Sequence, residues 1–187
     1  PDNLWRSTRP DPAGIDALVA LLLKSKNPAI VAGDDVARSG GEEALVALAE
    51  AIGATVWFEG LRHHAPFPTS HPSYRQSVPG DARQVRKALG DTDLVLLIGG
   101  PFFEDIWFAP GGHIPDGAAL LQIEASAERL ALNNRLDAGI VGDIAVSLGA
   151  LTDALRAKAG AAFRDAAQGR NAMLAELQRK EKDAYRA

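Results

Sequence analysis

Three of the four histidines in the sequence fall in one short stretch, HHAPFPTSHPSYR, as His63, His64 and His71. Imidazoles so grouped could hold a metal or move protons. A hydrolytic zinc site, however, asks for two histidines four residues apart on one helical face. Here one pair is adjacent, seven positions separate His64 from His71, and Pro66, Pro68 and Pro72 break any helix between them. That spacing points to a proline-stiffened loop. Two acidic pairs are the other candidates. Asp34 and Asp35 follow the apolar run PAIVAG, where helix N-terminal charge and turn chemistry account for them. Glu104 and Asp105 lie in GGPFFEDIWFAPGG among Phe102, Phe103, Trp107 and Phe108. Such a loop could line a pocket or cover apolar surface of a neighbouring domain, and its composition favours the interface.

Other chemistries lack their residues. There is no cysteine, so thiolate nucleophiles, thiolate metal sites and disulfides are excluded. No G-x-S-x-G elbow presents a serine. VAGDDVARSGG lacks the G-x-G-x-x-G spacing of a dinucleotide turn, and no P-loop spacing occurs. Gly99-Gly100 is followed by Pro101, which has no N–H to offer a phosphate.

The elements that must position these residues read as alternating helices and strands. Asp11 caps a helix opened by Pro12, with Ile15, Leu18, Val19 and Leu22 on one face. PAIVAG is a short buried strand. Leu45, Leu48, Ala49 and Ile52 mark a second helix ended by Gly53, and ATVWFE is the second strand. DARQVRKALG is a short helix and DLVLLIGG the strongest strand. A long loop over residues 101–117 precedes the strand AALLQIEAS. A short helix near Ala127 to Leu132, a weak strand AGIVG, and an Asp143-capped helix follow. The expected fold is a three-layer, Rossmann-like α/β open parallel sheet of five to six strands, helices on both faces, the sixth strand lying in the 60s or 70s. Residues 1–10 read as a lead-in linker, 11–158 as the domain, and 159–187 as a charged helical linker.

The 187-residue length fits one domain with a real core, and a net charge of −4 gives no reason to expect nucleic acid or an anionic membrane as partner. No apolar run approaches the roughly 20 residues of a membrane span. No secretory leader is recognised, and the absence of cysteine fits a cytoplasmic location. The first residue is Pro1, so a fragment of a longer chain is expected.

KNPAIVAGDDV and GATVWFEG resemble the first two strand units of the central domain of thiamine-diphosphate-dependent enzymes. PFPTSHPSYR resembles the following loop in the benzoylformate decarboxylase branch, and DLVLLIGGPFF with PGGHIPDGAALLQIEAS continues the likeness over about residues 11–157. The resemblance implies a parent of three α/β domains. In it the outer two would hold thiamine diphosphate and magnesium, and the middle one would space them without a reactive centre. The metal-binding Gly-Asp-Gly of that family does not occur here. In the benzoylformate decarboxylase branch the middle domain places an active-site histidine in this loop; aligning Pro101, Phe103 and Pro110-Gly111 puts Ile106 at that position, and isoleucine cannot transfer a proton, so benzoylformate itself is not the expected substrate of the parent.

The resemblance therefore implies an isolated central domain, inactive alone, of a 2-oxo-acid decarboxylase-like carboxy-lyase. It would carry no catalytic, cofactor or metal residue of its own. Its contribution would be an active-site-entrance loop of Phe103, Glu104, Asp105, Ile106 and Trp107. Expected partners are the N- and C-terminal cofactor domains of the same chain, with homo-oligomerisation. Two alternatives stay open: an FAD- or ADP-binding middle domain, as in acetolactate synthase-like relatives, and a stand-alone enzyme using the histidines with a metal.

Overall fold

The computed structural model describes residues 8–104 and 110–186. Among them, six strands form one sheet: β1 (Pro28–Ala32), β2 (Thr55–Phe58), β3 (Tyr74–Ser77), β4 (Leu94–Ile98), β5 (Ala119–Glu124) and β6 (Ala138–Val141). Their order is β3-β2-β1-β4-β5-β6, and every pairing is parallel. Chain direction across the sheet reverses between β1 and β4, which makes that boundary the topological switch point. All five residues of β1 and of β4 are buried, as strands covered on both faces must be.

Alternation along β1 feeds two apolar layers. Ile30 and Ala32 join the larger one, with Ile15, Leu18 and Leu22 of α1 (Pro12–Leu22), Leu45 and Leu48 of α3 (Glu42–Ile52), and Leu148 and Leu151 of α5 (Ile144–Lys158). Ala29 and Val31 point to the smaller layer, with Val85 and Leu89 of α4 (Ala82–Leu89) and with Trp57, Phe102 and Phe103. The three-layer expectation holds, but loop aromatics do much of the covering on the second face. The helix starts follow their sequence signals: Asp11, Asp81 and Asp143 accept hydrogen bonds from Ala13, Gln84 and Val146 N–H at 2.8, 2.9 and 3.0 Å.

Three elements differ from the sequence reading or sharpen it. The sixth strand is β3, YRQS, whose residues are mostly half-buried; it sits at the sheet edge. A five-residue helix, α2 (Asp34–Arg38), follows β1 directly. Residues 127–131 are successive turns rather than a helix. Gln122 draws that segment away from a helical ladder: its Nε2 donates to the Arg129 carbonyl and its Oε1 accepts from Ala131 N–H, where φ is +60°.

The C-terminal tail is α6 (Ala161–Arg186), lying along α3. Arg170 donates to the Ile52 and Lys26 carbonyls at 2.8 and 3.2 Å, and Asn171 to that of Glu50 at 2.8 Å. Of these, the Ile52 carbonyl is one left open at the end of α3. Gly53, at φ +60°, turns the chain there, and a side chain at this position would press 2.7 Å from the Ala167 carbonyl of α6.

Candidate functional site: the carboxyl end of the sheet

Ligands of open parallel sheets bind beyond the strand carboxyl ends at the switch point. In this chain that place is a crevice of about 300 Å³ between the ends of β1, β2 and β4, lined by Asp34, Asp35, Arg38, Glu59, His63 and Glu104 among others. A smaller hollow of about 170 Å³ lies beside it towards β5, bordered by Phe102, Glu104, Gln122 and Arg129.

At the switch point two backbone donors are already used. Gly33 N–H donates to the Ile98 carbonyl and Asp35 N–H to the Gly99 carbonyl, both at 2.9 Å. The two turns are so close that a side chain on Gly33 would come within 2.5 Å of the Gly99 oxygen. In a dinucleotide fold, N–H groups of this turn face the pyrophosphate. Here they tie the β1 turn to the β4 turn.

Carboxylates surround this closed turn. Asp34 accepts from the backbone N–H groups of His63, at 2.9 and 3.0 Å, and His64, at 2.9 Å. Burial acts to raise the Asp34 carboxyl, but these bonds, the His63 ring and Arg38 outweigh it and hold it below the usual aspartate range. Asp35 pairs with Arg38 at 3.1 Å and with Arg129. Arg129 also reaches the fully buried Glu124 at 3.5 Å. Both guanidiniums at the crevice are therefore engaged by protein carboxylates.

Two strand-end glutamates complete the site. Glu59, after β2, is 5% exposed; its Oε1 accepts from Gly60 N–H at 2.9 Å and its Oε2 from Phe103 N–H at 3.3 Å. Glu124, the last residue of β5, accepts from Gly100 N–H at 3.3 Å and from Gln122 at 3.1 Å. Burial raises both carboxyls above the usual glutamate range. The sequence placed each acid at the end of an apolar run without assigning it a role. The signal was present: a charge that closes a fully apolar strand must find a partner at the strand end.

The sequence candidates are distributed as follows. Phe103 is 8% exposed, with φ +58°, and its ring stacks on His113 at 4.5 Å. Glu104 is exposed and borders both hollows. Asp105, Ile106 and Trp107 lie outside the described residues. The histidines of the proline loop do not converge: His63 and His64 meet Asp34, whereas His71 faces Glu50 of α3 at 3.4 Å. Among the described residues, no group of three or more His, Cys, Asp or Glu is placed to hold a metal ion. With Gly33 and Asp35 N–H engaged and four acids on the walls, the residues present do not fit the diphosphate of a thiamine cofactor. Among the described residues, no helix is long and apolar enough to cross a membrane.

Comparison with known proteins agrees with this architecture. The chain is 35% identical over 150 residues to benzoylformate decarboxylase of Pseudomonas aeruginosa, which covers 80% of this chain and 28% of that protein. It is 33% identical over 141 residues to sulfoacetaldehyde acetyltransferase of Alcaligenes xylosoxydans xylosoxydans, covering 70% and 22%. The crystal structure of benzoylformate decarboxylase from Polynucleobacter necessarius superposes with a TM-score of 0.75 at 27% identity, over 82% of this chain and 29% of the other. The chain thus spans less than a third of the length of these relatives. Residues 15–151 match the family described as thiamine pyrophosphate enzyme, central domain, and to that family this chain belongs.

Proposed function

We propose that this domain is a spacer in a thiamine-diphosphate-dependent, 2-oxo-acid decarboxylase-like enzyme. It separates the two domains that hold the cofactor and its magnesium, and it presents the loop after β4 at the active-site entrance. The parent's reaction, in this reading, is loss of carbon dioxide from a 2-oxo acid; this piece alone does not catalyse it. The N- and C-terminal cofactor domains are its partners, α6 leads towards the second of them, and the parent assembles as a homo-oligomer in the cytoplasm.

One observation carries the reading. The position where a Rossmann-like sheet would bind a phosphate is filled by the sheet's own bonds, Gly33 N–H to Ile98 and Asp35 N–H to Gly99, and is ringed by Asp34, Asp35, Glu59 and Glu104. An anion there would meet four acids, with Arg38 and the neighbouring Arg129 already paired to Asp35. The same observation speaks against a middle domain that holds FAD or ADP. The likeness to decarboxylases on both sequence and structure supports the choice of reaction.

Two titrations of the purified 187-residue chain test this. With thiamine diphosphate, magnesium and benzoylformate or pyruvate supplied, no carbon dioxide release above the protein-free control is expected; turnover would overturn the spacer reading. With FAD or ADP followed by calorimetry, no saturable binding in the micromolar range is expected, and such binding would replace the spacer by a nucleotide-binding middle domain.

A further inference from the structure

The loop after β4 is gripped from two sides by acids that do not belong to it. Glu59 reaches across from β2 to the Phe103 N–H at 3.3 Å, and Glu124 from β5 to the Gly100 N–H at 3.3 Å. Between these two grips lie Pro101 and Phe102, the latter only 4% exposed. Phe103 needs such a grip. At φ +58° it holds a left-handed conformation that costs a non-glycine residue about 1–3 kcal/mol unless its surroundings impose it. The His113 ring, stacked on Phe103, and Arg86, which donates to the Gly112 carbonyl at 3.0 Å, bring the returning end of the loop to the same place.

We propose that Glu59 and Glu124 are positioning residues whose carboxylates fix the stem of the β4 loop, residues 99–104, at the carboxyl end of the sheet. This rests on the role given to that loop under the proposed function, and it names the residues that set the loop's position. A stabilising role explains them poorly. Burial raises Glu59; the N–H groups of Phe103, Gly60 and Leu61 oppose that rise and Glu104 adds to it. Burial likewise raises Glu124, opposed by Gln122, Arg129 and the Gly100 N–H, with Asp35 adding. An acid whose carboxyl is raised on folding makes the fold more stable as pH falls through its folded value, and opposes folding when charged above it. Ionising either group thus costs stability, while each carboxyl oxygen accepts a bond from one end of the stem. The titratable and charged groups around Glu59 are Glu104, Asp34, Asp35, Arg38 and His63 on the crevice walls, and those around Glu124 are Arg129 and Asp35.

Backbone amide NMR on the chain as it stands gives the test. In Glu59→Gln, hydrogen exchange at Phe103 should rise by about tenfold, the difference between a hydrogen bond to a charged and to a neutral acceptor, while Ile30 and Leu96 in the core exchange no faster than before. Glu124→Gln should do the same at Gly100. In the unsubstituted chain both amide shifts should titrate with midpoints above the ordinary glutamate value of 4.5, and each titration should vanish in its own variant. Unchanged exchange at Phe103 and Gly100, a uniform rise through β1 and β4, or amide shifts flat between pH 4 and 8 would each overturn the proposal. The readout uses no substrate or cofactor. Its failure removes the grip and leaves the spacer reading standing; turnover by the isolated chain removes the spacer reading and leaves the grip.

Discussion

Two long connections leave the carboxyl end of the sheet, and they are held in opposite ways. The loop after β2, residues 59–73, carries three histidines and three prolines and is pinned by ordinary means. Phe67 is buried in the larger apolar layer, backbone N–H groups close on Asp34, and α6 reaches over it through Gln178 to the Ser70 carbonyl at 2.8 Å. The loop after β4 carries the aromatics, yet its stem is held by Glu59 and Glu124, buried acids with raised carboxyls. The histidines that look reactive in the sequence do not converge in the fold, and the acids that burial raises bond to the stem of the apolar loop. Side-chain type alone is a poor guide to how a loop is held.

The comparison breaks most easily at Phe67. If the proline loop is scaffold, its anchor should be worth as much as a core residue. Phe67 is 1% exposed and meets the His71 ring edge-on at 4.9 Å. Phe67→Ala should lower unfolding free energy by about 3–5 kcal/mol, read by urea denaturation. A loss below about 1 kcal/mol would mean that the loop is not built into the core.

A smaller effect is expected at Asp34, which ties the same loop to the switch point. Asp34→Ala leaves two backbone N–H groups of the loop without their acceptor and should cost about 1–3 kcal/mol. The pH dependence has a definite sign. Asp34 is held below its ordinary value of 3.8 in the fold, so its contribution is present above that value and is lost as pH falls through the lower folded value. Acid unfolding below about pH 4 should therefore be less steep in Asp34→Ala than in the parent chain. Identical acid limbs would detach Asp34 from the loop.

Much of this fold was legible because its strands are buried on both faces. PAIVA, TVWF, LVLLI and ALLQIE announce themselves as apolar runs between glycines and helices. β3 was not, since YRQS at the edge buries little and carries no period. The turns at 127–131 were misread as a helix because a local apolar spacing competes with a long-range demand, that of Gln122 for the Arg129 carbonyl and Ala131 N–H. The site was less legible still. Glu59, Gly100, Phe103 and Glu124 are scattered over more than sixty positions of sequence, and only the strand order β2-β1-β4-β5 brings them to one edge. No local pattern encodes that neighbourhood. In PFPTSHP it is Phe67 that enters the core, a packing role that no spacing of reactive residues announces.

The smallest effect expected is also the sharpest test of the contrast between the loops. Asp34 meets His63 and His64 chiefly through their backbone N–H groups, at 2.9–3.0 Å, while the rings stand at 3.2 and 3.8 Å with side chains 83% and 54% exposed. An exposed imidazole near a carboxylate adds little, because water screens the pair and competes for both partners. The double replacement His63→Ala, His64→Ala keeps every backbone bond to Asp34 and should change stability by no more than about 0.5 kcal/mol. If instead the pair were a catalytic or metal-binding element, the loss would appear as zinc retained by the parent chain and not by the variant, measured by elemental analysis after dialysis against a zinc-loaded buffer. Equal zinc content, together with an unchanged urea midpoint, would leave the imidazoles with no part in holding the loop and assign its grip on Asp34 to the main chain.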